Sequence, residues 1–492
     1  MHQRGKTAQA IVGAVALLAS LAGCGNKTLF VEAPGFDAGL GEVDAGLSSD
    51  QSCGSGRVAC EAGQHCVAGL CVATKIQHVV LIVQENHTFD SIFGAYCEKP
   101  AGSNPSCTKG RSCCEAAPLT DARGTPPLVL DDAQNLGGGD PNHFTPCELQ
   151  QIDNGAMDNF TAGSSVGATV CTSACSRREN FVVADSETAR DYWAYADNNA
   201  LADRYFQPIV GGSSSNNMYF AVAHVQFIDN AVVPRATGLG CQDPTGLCID
   251  GTITSYSGRT TIVELLAQVG RTFAVYGDGY AEAVAAGSDG CASPPDYCPY
   301  NHLHPIARQS CLYDPADIPF QYYSQLADFP QYMRDYDDLA RDVANQRLPG
   351  FSFVKGRTYR NDHPVFSRLS GGAQFVRQTV ETVLQSAYGD DTLVLVTWDE
   401  GGGFYDHVPP ASSVDTDEQG VPVPRGTRVP LIAIGRFARK GTVSHVVLDH
   451  SSIVRFLEYN FIGPTGQLNA ADARVNNLGS LLDPATTGVQ VP

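Results

Sequence analysis

The hydrophobic pattern of the chain is dominated by two apolar runs that do not alternate. Ile76 to Val83 (IQHVVLIV) and Leu393 to Trp398 (LVLVTW) are aliphatic and β-branched, the pattern of strands buried on both faces. Before the second run, Phe375, Val376, Val380, Val383, Leu384 and Ala387 recur at helical spacing, and Gly389-Asp390-Asp391 marks the turn out. A helix feeding a buried strand is half of a parallel α/β unit. Further along lie an amphipathic helix over Thr260 to Val269, a strand over Thr272 to Tyr276 and another over Phe351 to Val354. A strand over Val429 to Ile434 and a last helix over Ser451 to Phe461, introduced by Asp449-His450, complete the alternation. Thr188 to Tyr205 reads as a helix with aromatic anchors. The pattern predicts an α/β fold with a doubly wound, mostly parallel sheet flanked by helices.

The ends of the pattern are different. Arg4 and Lys6 precede the apolar stretch Ala8 to Leu21, which is too short to span a bilayer. Leu21-Ala22-Gly23-Cys24 then has the form of a lipoprotein cleavage box, so residues 1–23 are expected to be a signal peptide and Cys24 the acylated first residue. Residues 24–52, rich in Gly, Ala, Asp and Ser, read as a flexible tether. Cys53, Cys60, Cys66 and Cys71 form a compact unit over 53–72 without a Cys-x2-Cys pair, which favours two disulfides over a zinc site. The catalytic domain is expected over 75–492.

Composition narrows the partners. The chain has 17 cysteines, and setting Cys24 aside leaves an even number, which with an export signal reads as disulfides. None follows Cys311. A formal net charge of −20 argues against nonspecific binding to nucleic acid or to anionic membrane faces.

Both apolar runs end in metal-capable oxygens. The first leads into Gln84-Glu85-Asn86-His87-Thr88-Phe89-Asp90, the second into Asp399-Glu400, three glycines and Asp406-His407. Functional groups in parallel sheets gather beyond the carboxyl ends of strands. Adjacent carboxylates leaving an apolar strand are costly to bury without a positive partner, and a divalent metal ion is the usual one. An acidic turn in solvent is the plain alternative, as is a helix cap made by Glu85 and Asn86 with Thr88 and Asp90. Two carboxylate-bearing strand ends together favour the metal. The donors are hard oxygens suited to Mg²⁺, Ca²⁺ or Mn²⁺, with Zn²⁺ also open.

The segments QENHTFDSIFG, GGSSSNNMYF, NDHP, WDEGGGFYDHVPP and LDHSSIVRFLEYNF occur in the order found in the bacterial phosphoesterase family, which this chain resembles from about Ile76 to about Gly463. That family contains phosphatidylcholine-type phospholipases C and a group of acid phosphatases, and belongs to the alkaline phosphatase superfamily. The resemblance implies metal ligation by Glu85, Asn86, Asp399 and Glu400, and Ser213 as nucleophile. It implies that His363 faces the leaving group and His143 the phosphoryl oxygens. Asn217 would help to hold those oxygens, while Asp406 and His407 would orient the metal ligands. Two positions depart from the family pattern. Ser215 stands where a proline is usual, and Asp317 stands at a family histidine, unless His302 or His304 replaces it.

These readings converge on a metal-dependent phosphoric ester hydrolase using a serine nucleophile, with phospholipid headgroups as the favoured substrate. Small phosphomonoesters are the alternative. A surface lipoprotein that binds phosphorylated ligands without turnover would show loss of the nucleophile or a carboxylate, and neither is lost. A sulfatase would need a Cys or Ser in a Cys/Ser-x-Pro-x-Arg setting, which no cysteine here has. Export and a lipid anchor, with Asn26 after Cys24 favouring the outer membrane, complete the expectation.

Overall fold

The computed structural model describes Cys53 and residues 59–60, 64–67, 70–162, 174–239, 252–287 and 312–492. The expected signal peptide, tether and Cys24 lie outside these residues, as do His302 and His304.

One sheet organises the molecule. Its eight strands are β1 (His78–Gln84), β2 (Ala200–Ala202), β3 (Phe273–Gly277), β4 (Met333–Asp335), β5 (Phe351–Lys355), β6 (Thr392–Trp398), β7 (Leu431–Ile434) and β8 (Thr442–Ser444). Their spatial order is β4-β3-β5-β1-β6-β7-β2-β8. Neighbours are parallel except at β7, which runs against both β6 and β2. Every residue of β6, and every residue of β1 but His78, is buried, so the sheet is covered on both faces, as unbroken apolar runs require. The mostly parallel α/β expectation holds, with one reversed strand that the sequence pattern did not signal.

The helices used below are α1 (Phe89–Phe93), α2 (Arg190–Asn198), α3 (Ser213–Asn217), α4 (Ile262–Gln268), α5 (Leu369–Leu384) and α6 (His450–Leu457). The expected helix over Thr188 to Tyr205 is corrected: α2 stops at Asn198, and Ala200–Ala202 is β2. Ala-Leu-Ala has little intrinsic strand preference, but pairing with β7 on one side and β8 on the other buries all three residues. Gly211-Gly212 leads directly into α3. The segment after α1 holds two further helices, Asp132–Gly137 and Thr145–Ile152.

The four-cysteine unit forms two disulfides, Cys53–Cys66 and Cys60–Cys71. Cys97–Cys114, Cys107–Cys113 and Cys147–Cys175 tie the segment after β1.

Candidate active site

The site follows from register. β5, β1 and β6 lie side by side and parallel, with Lys355 opposite Val83 and Gln84 opposite Trp398. Glu85 and Asp399 therefore leave two adjacent strands at the same level, with Lys355 at the end of the third. Because β7 is antiparallel and Leu431 pairs with Thr397, residues 399–430 leave and return at this same edge. The backbone is fixed there: the Asp399 amide donates to the Gln84 carbonyl at 3.0 Å and the Glu85 amide to the Asn361 carbonyl at 2.7 Å. That second bond brings in the Asn361-Asp362-His363-Pro364 loop.

Asn86, in the left-handed region at φ 61°, sits at the centre. Its amide donates to Asp399 Oδ1 at 3.2 Å, its Oδ1 accepts the Ser213 hydroxyl at 3.3 Å, and its Nδ2 lies 3.3 Å from His363 Nε2. His363 Nδ1 donates to the Pro364 carbonyl at 2.8 Å, which leaves Nε2 as an acceptor in the neutral ring. Asn217 Nδ2 donates to Asp399 Oδ2 at 3.3 Å and to the Ser213 carbonyl at 3.1 Å. His143 Nε2 lies 3.8 Å from Glu400 Oε1, with Nδ1 donating to the Pro141 carbonyl at 2.8 Å. The eight residues Ser213, His363, His143, Asn217, Glu85, Asn86, Asp399 and Glu400 thus form one hydrogen-bonded and ion-paired group, if Glu85 is counted through His363 Nε2 at 3.9 Å and Lys355.

The serine turn is held from outside. The Gly211 amide donates to Glu148 Oε2 at 2.6 Å, the Gly212 amide to Asp229 Oδ1 at 3.2 Å, and the Ser214 amide to Asn230 Oδ1 at 2.9 Å. Gly211 has φ 116°, and a Cβ there would stand 2.3 Å from Asp229 Oδ1, so glycine is required. Across the site, a Cβ at Gly402 would stand 2.3 Å from the Asn86 carbonyl oxygen. The glycines after Glu400 let the chain close over Asn86.

The electrostatics are those of surplus negative charge. Burial first, and Asp317 beside it second, push Glu85 well above the ordinary carboxylate range, against the pull of Lys355. Burial also raises Asp399, opposed chiefly by Lys355, and raises Glu400 well above its usual value, opposed chiefly by His143. For His143, burial works to lower the pKa, but Glu400 and Asp140 outweigh it and hold the ring at about 9. Burial likewise opposes the charge on Lys355, yet Glu85, Asp317 and Asp399 raise it above its ordinary value. Lys355 Nζ stands 2.7 Å from Glu85 Oε1 as an ion pair.

A divalent cation fits this chemistry. Glu85, Asp399 and Glu400 supply buried carboxylate oxygens and Asn86 an amide oxygen, an all-oxygen set. Glu400 Oε1 is buried and accepts no hydrogen bond among the described residues. The three carboxylates are not drawn as close as Asp90, Asp406 and His407, whose ligand atoms lie within 4.8 Å of one another. That second cluster already holds a cation: Arg428, fully buried, reaches Asp90 at 2.9 Å and Asp406 at 2.8 Å.

Asp406 and His407 therefore stand apart from the role expected of them. Their side chains contact Asp90, Glu115 and Arg428, and none of the four expected metal ligands. They brace α1, which Thr88 caps through the Ser91 amide at 3.1 Å. Thr88 caps α1, while Asn86, two residues earlier, contacts Asp399, Ser213 and His363 instead.

Three contributors were missed by sequence reasoning. Lys355 ends an apolar strand, where a lysine reads as solvent-facing. Glu148 lies in the cysteine-rich segment, which carries no chemical motif. His450 reads as part of a helix start, and Asp449 does cap α6, but the His450 ring donates from Nε2 to the Asp399 carbonyl at 2.6 Å and accepts from the Tyr205 hydroxyl at 2.8 Å. Burial lowers His450 to about 3, so the ring is neutral. Asp317 lies against Glu85 and Lys355.

Phospholipase C B of Mycobacterium tuberculosis is 27% identical over 447 residues, covering 83% of this chain and 77% of that protein. Hemolytic phospholipase C of Pseudomonas aeruginosa is 26% identical over 422 residues, covering 78% of this chain and 53% of that protein. Among solved structures, a protein in the alkaline phosphatase superfamily from Vibrio parahaemolyticus aligns at 11% identity and a TM-score of 0.31, over 59% of this chain and 65% of that one. The Phosphoesterase family model matches residues 76–462, and the chain belongs to that family, a hydrolase acting on phosphoric esters.

Proposed function

We propose that the protein is a metal-dependent phospholipase C in which Ser213 attacks the phosphorus of a phospholipid headgroup ester. The observation that carries this reading is the chain of contacts from the Ser213 hydroxyl to Asn86, and from Asn86 to both Asp399 and His363. It joins a hydroxyl, a metal-capable oxygen set and an imidazole within one buried network.

A divalent cation held by Glu85, Asn86, Asp399 and Glu400 would supply charge neutralisation and favour the serine alkoxide. Ser213 enters as that alkoxide; its Oγ–P bond forms as the ester P–O bond breaks. His363, entering this step as the imidazolium, gives its Nε2 proton to the departing oxygen; water then attacks phosphorus, its proton passes to His363 Nε2, and the Oγ–P bond breaks. His143, held cationic by Glu400, faces the phosphoryl oxygens, and Asn217 orients Asp399. Glu148 and Asp229 keep the serine turn rigid, so no reorganisation is needed at the moment of attack. The phospholipid substrate is favoured because the relatives above are named phospholipases C. By the same reading, Cys24 carries the acyl anchor that tethers the exported chain to the outer membrane.

The test is a set of variants assayed side by side on phosphatidylcholine and a chromogenic phosphomonoester. Ser213→Ala should lower turnover by about a thousandfold or more with the fold intact, and trapped phosphate label should be lost with it. Asp399→Ala should lose both activity and bound metal. Full activity in Ser213→Ala would end the nucleophile assignment, and wild-type activity on the monoester alone would end the phospholipase reading.

A further inference from the structure

On the far side of the sheet lies a cleft of about 970 Å³ lined by Lys109, Arg436, Arg439, Lys440, His445 and Asp483, among others. Its position is fixed by topology. β7 is antiparallel, and its last residue, Ile434, pairs with Val394 near the start of β6, so residues 436–440 stand at the amino ends of the parallel strands. Thr442, the first residue of β8, pairs with Ala200, the first of β2, at the same edge. The catalytic residues follow the carboxyl ends, so the cleft is a separate place.

Its charge runs against that of the molecule. Within a chain of net charge −20, four Lys and Arg side chains line one cleft beside one carboxylate. That carboxylate is engaged locally, with Asp483 Oδ1 accepting the Ala485 amide at 3.0 Å. Lys109 Nζ is spent on neutral oxygens, the Lys440 carbonyl at 2.6 Å and the Thr442 hydroxyl at 3.1 Å. Arg439 Nε is buried without a hydrogen-bond partner, an orphaned donor on a fixed cation. Among the described residues no carboxylate lies within salt-bridge distance of Lys109, Arg439 or Lys440; Arg436 pairs only with exposed Asp390, at 3.1 Å. Clustered cations left without carboxylates, one of them a guanidinium with an unused buried N–H, suit an anion with several oxygens.

We infer that this cleft binds a phosphate-bearing anion, as a docking site distinct from the catalytic centre. The chain entering β1 arrives at the same edge, from Cys71 through Ile76, so the cleft lies at the sheet edge where the cysteine unit joins the body. An anionic lipid headgroup in the anchoring membrane and free phosphate share the required chemistry. With a headgroup bound there, the catalytic edge of the sheet is turned away from that membrane. This inference rests on the export and anchoring reading only for which source supplies the phosphate.

The full chain carrying Cys24→Ser, so that no acyl group contributes, is tested by co-sedimentation with phosphatidylglycerol vesicles and by titration with inorganic phosphate. Arg439→Gln with Lys440→Gln should weaken binding about thirtyfold, on the order of fivefold per cation. Arg341→Gln with Arg377→Gln, which removes the same charge from surface ion pairs elsewhere, should leave it nearly unchanged. Vesicle binding that excess phosphate displaces assigns a headgroup, and phosphate binding without vesicle binding assigns the free anion; either supports the cleft. Absence of both, or an equal loss in the control pair, overturns it. Ester hydrolysis by the cleft variant should match the parent, so failure here and failure of the catalytic reading are told apart.

Discussion

Lys355 is the single residue on which the charge balance of the catalytic edge turns. It is buried at the end of β5, 2.7 Å from Glu85, and it is the counter-charge that most opposes the raised pKa of Asp399. Removing one partner of a buried ion pair strands the other, at a cost of about 3–5 kcal/mol. Lys355→Met keeps the aliphatic volume and deletes the charge. The variant is expected to lose about 3 kcal/mol of unfolding free energy in chelator, and to recover part of that loss when a divalent cation is added, because the cation then takes over the neutralising role. Urea unfolding with and without chelator measures both. An unchanged midpoint in chelator would show that Lys355 does not balance these carboxylates. Glu85, Asn86, Asp399 and Glu400 were legible in the sequence because each follows an apolar strand. Lys355 was not, since only the register of β5 against β1 reveals that its ammonium faces the same carboxylates.

Between elements, the strongest tie is polar. Asp90 on α1, Asp406 and His407 after β6, Arg428 before β7, and Glu115 in the disulfide-tied segment converge in one buried network. For His407, burial favours the neutral ring, but Asp90 and Glu115 outweigh it and hold its pKa at about 9, above the 6.5 of a free imidazole. The stabilisation is therefore fully present below about pH 6.5 and is lost as the pH rises through about 9. The acidic side has the opposite sign. Against the effect of burial, His407 and its neighbours lower Asp90, and with the Asn104 amide hold Glu115 at about 2, so their contribution is lost only on strong acidification. His407→Gln should flatten the alkaline decline, an effect on the order of 3 kcal/mol at most. Urea midpoints at pH 6 and pH 9 give the slope for each protein, and equal slopes would reject the account. At this scale β1, β5 and β6 were readable as apolar runs, and the length of α5 nearly so. The strand Ala200–Ala202 was not readable, because its state is set by β7 and β8 and not by its own composition.

At the scale of the whole molecule, what was legible was the alternation of strands and helices and the order of the motifs. The reversal of β7 was hidden, because a four-residue apolar strand carries no mark of its direction. Its effect is large: it keeps residues 399–430 at the catalytic edge and sends residues 436–440 to the opposite one. The described disulfides all lie between Cys53 and Cys175, and β2 to β8 carry none of them. Cys147–Cys175 closes the segment whose Glu148 fixes Gly211. Production in a reducing cytosol is therefore expected to give material that is soluble and retains its far-ultraviolet dichroism, yet turns over ester slowly. The barrel of a chromatography column would accept such a preparation as native; only a thiol count set beside the specific activity would reveal that the part holding the serine in place had come loose from a sheet that had formed without it.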